Sequence, residues 1–165
     1  MSAAELVIAM GLATALLAVI SVVYVFCTRS FVGLENYMEM NGKSRYALDR
    51  MSQEIRQADA ISFYATNQIS VLLGGTNVSF AYDADDKTLS RQSAGKEEVF
   101  LTGCDSLRFD IFQRNTTTNS FDLTPATSLA QGKVVQITWL CSRDILGKKA
   151  TTENMQSAKV VLRRK

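Results

Sequence analysis

The chain has 165 residues, with 18 Lys and Arg against 16 Asp and Glu, three cysteines and no histidine. A net charge of +2 gives no reason to expect nucleic acid as a direct partner. Without histidine the commonest general base and metal ligand are missing, and the cysteines form no CxxC pair, so neither catalysis nor a resident cofactor is expected.

Residues 6–28 carry no formal charge. As a helix this run would reach about 35 Å at 1.5 Å per residue, enough for a bilayer core. The core helix of a soluble domain rarely stays apolar on every side for so long. The mean hydropathy of the whole chain is near zero only because this end is averaged with a polar remainder. Residues 1–30 are read as a transmembrane half-helix and residues 31–165 as a globular domain that includes the amphipathic half. A secretory signal is not expected: residues 1–4 lack Lys and Arg, Glu5 is acidic, and "VFCTRSFVG" is a poor cleavage site. Arg29 and the other basic residues follow the span, which on its own would put the domain in the cytoplasm; a removed basic leader would reverse that. Cys27, inside the run, is read as a lipid-facing or helix-packing thiol.

No proline occurs before Pro125. Leu48, Met51, Ile55, Ala58 and Ser62 follow a 3-4-3-4 spacing, with Arg50, Gln53, Glu54, Arg56 and Gln57 between them. Phe31, Leu34 and Met38 are read in the same phase. The spacing predicts one helix over about residues 3–60. Gly33 and Gly42 are its soft points, each costing about 1 kcal/mol relative to Ala.

Beyond residue 61 the period changes to two. "ISFYA", "QISVLL", "VSFAY", "TLSRQ" and "EEVFLT" read as short strands, with turns at "GGTN" and "DADDK". "SLRFDIF", "KVVQITWLC" and "AKVVLRR" complete the set, and residues 114–132 read as a long polar loop. The expected fold class is α+β: one long N-terminal helix whose amphipathic half packs on a small, mostly antiparallel β domain.

Several residues invite a chemical reading. Asp83, Asp85 and Asp86 are carboxylates that could hold calcium, but three acids between two strands also make a solvated hairpin turn, and the turn is preferred. Trp139 alternates with Val135 and Ile137 and is read as core. Asn77 and Asn115 stand in glycosylation sequons. Cys104 begins one strand and Cys141 ends another. If those strands pair antiparallel, the two sulfurs come within disulfide reach; the alternative is two separate buried thiols.

Glu5 has two readings. A carboxylate at a helix N-terminus complements the helix dipole, worth about 0.3–1 kcal/mol. If such helices pack in a staggered bundle, the same carboxylate leaves water and needs a positive partner, which the α-amino group of a neighbour's residue 1 would supply.

"AAELVIAM", followed by an apolar run, a long amphipathic helix and a β domain, resembles the type IV pilin and type II secretion pseudopilin superfamily. "SRYALDRMSQEIRQADAISFY", "VSFAYDADDKTLSR", "VFLTGCDSLRFDIFQRN" and "ENMQSAKVVLRRK" are similar to the PilW-like minor pilins and J-type pseudopilins. The resemblance implies a glutamate four residues after the mature first residue, which makes Met1 that residue, a candidate for N-methylation and the partner of a neighbour's Glu5. The chain departs from the family in having Met1 where phenylalanine is usual and Val22 where many pilins carry a proline. The implied function is a non-enzymatic minor subunit, at or near a filament tip, serving type II secretion, pilus assembly or DNA uptake. Its implied partners are other pilin or pseudopilin subunits. Its implied location is the bacterial inner membrane before assembly, with the β domain outside the cytoplasm. The alternative is a single-pass, membrane-anchored periplasmic binding or sensing module with residues 114–132 as its binding element.

Overall fold

The computed structural model describes residues 2–115, 122–145, 148–149 and 154–163. A single helix, α1 (Ala3–Gln57), occupies the first third of the chain. It ends where Ala58 turns to an extended backbone, with its N–H donating back to Ile55 O at 3.3 Å. Asp59 N then bonds Leu72 O at 2.8 Å, so the chain passes directly from helix to sheet.

Strands β1 (Ala60–Ala65), β2 (Gln68–Leu73), β3 (Thr76–Asp83), β4 (Thr88–Ser93) and β5 (Lys96–Thr102) form an antiparallel meander in chain order. The β2–β3 turn is the two-residue pair Gly74 and Gly75, with φ of 55° and 83°. Two successive left-handed residues match the strand twist, and glycine takes them without steric cost. A second sheet has the order β11–β8–β6–β7, from β6 (Cys104–Arg114), β7 (Leu123–Pro125), β8 (Val134–Cys141) and β11 (Asn154–Val161). The short strands β9 (Asp144–Ile145) and β10 (Lys148–Lys149) pair with each other.

The core lies where α1 crosses both sheets, against β5 of the first and β11 of the second. From the helix come Met40, Ala47, Met51 and Ile55; from the meander Ile69, Val71, Val78, Phe80 and Leu89; from the second sheet Phe109, Val135, Ile137, Trp139 and Val160. The α+β arrangement expected from the sequence is the one observed. Trp139 is core, as its alternation implied.

Four expectations need correction. The helix stops three residues early, and Ser62 lies on β1 rather than on the helix face. Glu54, placed among the polar residues between the apolar positions, is only 4 % exposed, because it stands in the buried run Met40, Ser44, Ala47, Met51, Glu54, Ile55. Residues 114–132 are not all loop, since β7 pairs with the end of β6 through Gln113↔Thr124. Pro125, which has no N–H to give, sits on this edge strand, where proline is tolerated.

The fourth correction bears on function. Phe31, Leu34 and Met38 do not continue the buried face. At 100° per residue they lie roughly 140° around the helix from Ser44, Ala47 and Met51. They point away from the β domain and are 72 %, 57 % and 65 % exposed.

Candidate functional site

The N-terminal half of α1 has no cover. None of its membrane-length apolar window is buried, and Leu6, Ile8, Leu12, Leu16, Ile20, Tyr24 and Phe26 are all exposed. The helix is long and apolar enough to cross a membrane. Four Ser and Thr hydroxyls bond within the helix: Thr14 Oγ1 donates to Gly11 O, Ser21 Oγ to Leu17 O, Thr28 Oγ1 to Tyr24 O and Ser30 Oγ to Phe26 O, all at 2.8–3.0 Å. This is what a helix in hydrocarbon requires, since no water is there to take a stray donor.

At the head of the helix, Ser2 and Glu5 form a capping box. Ala4 N donates to Ser2 Oγ at 3.3 Å, and Ser2 N donates to Glu5 Oε2 at 3.0 Å. Within one chain the carboxylate is thus engaged by its own helix start, in keeping with the helix-end reading. The S-x-x-E signature at residues 2–5 carried this information. Met1, the expected partner of a neighbour's Glu5 and candidate for N-methylation, lies outside the described residues.

The exposed face outlasts any bilayer. From Leu6 to Met38 the helix advances about 50 Å at 1.5 Å per residue, against a hydrocarbon core of about 30 Å. Only at Met40 does the β domain begin to cover it. Three polar contacts hold the helix there. Glu39 Oε2 accepts from Arg143 Nη1 at 2.6 Å, and its other oxygen lies 2.8 Å from Lys43 Nζ. Hydrogen bonds first from Arg143 and then from Lys43 hold the Glu39 carboxyl down at about 2. Deeper in, Glu54 accepts from Arg91 Nε and pairs with Arg50 at 3.0 Å. At the C-terminal end, Arg163 N donates to Arg56 O at 3.3 Å.

The other sequence candidates fall in separate places. Asp83 closes β3, and its Oδ1 accepts from the backbone N–H of Asp85 at 2.8 Å and of Asp86 at 3.2 Å, so the three acids form the hairpin turn that was preferred. Among the described residues no group of three His, Cys, Asp or Glu stands close enough to hold a metal. Asn77 lies on β3 with its Oδ1 accepting from Ser62 Oγ at 2.8 Å; most of the Asn115 sequon lies outside the described residues. Cys104 and Cys141 are buried free thiols in register across β6 and β8, and Cys27 is exposed on the bare helix. The two strands pair antiparallel, which meets the condition set for disulfide reach.

Comparison with protein-family models, with curated proteins and with solved structures finds no match to this chain.

Proposed function

We propose that the chain is a membrane-anchored structural subunit, a minor pilin or pseudopilin, whose bare helix packs against the helices of other such subunits. One observation carries the reading: the stripe of Phe31, Leu34 and Met38. Lipid can cover the helix up to about Arg29. Met38 lies about 14 Å further on at 1.5 Å per residue, and the chain's own domain turns its back on the stripe. Exposed apolar side chains in a row mark a contact surface, and a neighbouring helix has the shape to fill it.

In this account the helix is stored in the bacterial inner membrane with the β domain outside the cytoplasm, and the subunit is then drawn into a filament or tip complex for secretion or pilus assembly. Glu5 would exchange its capping-box bond for the α-amino group of a neighbour's residue 1. Giving up the cap costs about 1 kcal/mol, which a desolvated charge pair can offset, and the exchange fixes the axial register. The test is electron cryo-microscopy of the full chain purified from membranes with its co-purifying proteins, beside the Glu5→Ala variant. Support would be filaments or heteromeric complexes with α1 enclosed by helices, and reduced partner recovery in the variant. Isolated chains with α1 in detergent alone would instead favour an anchored binding or sensing module.

A further inference from the structure

Gly103 is the single residue between β5 and β6, so the chain crosses from one sheet to the other at this point. It has φ of 71°, and a Cβ there would sit 3.0 Å from Ser142 O. Glycine therefore lets the corner close tightly on the end of β8. Ser142 N donates to Gly103 O at 3.0 Å, whereas Cys104 N donates to Lys87 O. The bond thus runs between the residue before Cys104 and the residue after Cys141. That identifies Cys104 and Cys141 as a non-hydrogen-bonded pair, the closer of the two antiparallel pairings, with Cα atoms about 4.5 Å apart. A disulfide needs about 4.4–6.8 Å. A bulge between Cys104 and Ser106 turns the Cys104 side chain to the same inward face as Leu107 and Phe109.

We propose that Cys104 and Cys141 are an oxidative modification site: they form an intramolecular disulfide that pins the corner between the two sheets to the end of β8. The bond stands beside the place where α1 enters the domain, since Arg143, two residues past Cys141, is the residue that grips Glu39. A narrow cleft between Met40, Ser44, Leu101 and Arg143 leads to Cys141. Cys141 lines this cleft and Cys104 does not, so Cys141 is the thiol an incoming reagent meets first and the first nucleophile. Its thiolate attacks one sulfur of an exogenous disulfide, either a small one such as oxidised glutathione or that of a thiol–disulfide oxidoreductase, and expels one thiolate. Cys104 then loses its proton, attacks the Cys141 sulfur of the mixed disulfide and expels the second. Two protein thiols are oxidised to one disulfide, and the reagent is reduced to two thiols. Nothing in this depends on how the bare half of α1 is covered.

The experiment uses the full chain in detergent with Cys27→Ser, which removes cross-links between copies. The reduced protein is equilibrated in glutathione buffers from fully reduced to fully oxidised, quenched with acid, denatured, alkylated and mapped by mass spectrometry. The expected result is one transition in which Cys104 and Cys141 lose alkylation together and appear as a linked peptide lighter by two hydrogens. The linked form should raise the ratio of folded to unfolded domain in denaturant by roughly a hundredfold or more, as expected for a loop of this length. With Cys104→Ser added, Cys141 should stop at the glutathione mixed disulfide. Two thiols that stay alkylatable in the most oxidising buffer overturn the proposal. So do separate glutathione adducts on both cysteines, and so does a linked pair with an unchanged denaturation midpoint.

Discussion

Glu54 of α1 and Arg91 of β4 meet inside the domain, with Arg91 Nε 2.9 Å from one carboxylate oxygen and 3.1 Å from the other. Their side chains are only 5 % and 15 % exposed, so this pair joins helix to meander in a place water hardly reaches. Glu54→Leu leaves the Arg91 guanidinium buried without its main counter-charge and should lower domain stability by about 3–5 kcal/mol. The double variant Glu54→Leu with Arg91→Met removes both charges and should recover most of that loss. Denaturant unfolding of the four members of the cycle measures it; additive losses would mean that the two residues do not act as a pair.

A fragment beginning at residue 34 should fold by itself. The helix meets the core from Met40 onward, and every described strand lies C-terminal to that point. The expected outcome is a soluble protein that unfolds cooperatively at the same denaturant concentration as the domain of the full chain. Aggregation, or a broad transition, would show that the bare half of α1 is part of the folding unit.

Much of this was legible in the sequence because both periods are strong. The alternation of Val135, Ile137, Trp139 and Cys141 identified β8, and the turn residues divided the meander into its strands. The helix face was harder to read. Its buried positions include Ser44 and Glu54, polar residues that hydropathy assigns to solvent, and omitting them shifted the inferred face. Phe31, Leu34 and Met38 then seemed continuous with it, because a 3-4 spacing identifies a stripe without saying whether two stripes share a side. The Glu54 carboxylate is buried because Arg91 faces it from 37 residues away, a pairing that no local window contains. At Glu5 the signal is local: Ser2, three residues upstream, completes a capping box.

Acid should loosen the helix from the second sheet. The Glu39 carboxyl is depressed from an ordinary value near 4.5 to about 2 by Arg143 and Lys43. A depressed acid stabilises the folded state above its unfolded value and loses that contribution as pH falls through the folded one. The wild-type chain should therefore exceed Glu39→Gln in stability at neutral pH. The gap should shrink between about pH 4.5 and about pH 2. Both side chains of the Glu39–Lys43 pair are about half exposed, so the gap should be small and should narrow in high salt. Unfolding curves of the two proteins across that range check it; a gap that stays constant with pH would assign the effect to something other than this charge.

The most direct test of the account asks what touches the stripe past the membrane. A photo-reactive amino acid is put at Leu34 or Met38 in the full chain, with exposed Glu97 on β5 as the control, and cells are irradiated before membranes are solubilised. Protein adducts are expected from Leu34 and Met38 that map to the apolar helices of other membrane-anchored subunits, with far fewer from Glu97. No protein adduct at Leu34 or Met38, with capture confined to the β domain, would contradict it and leave α1 as an anchor alone.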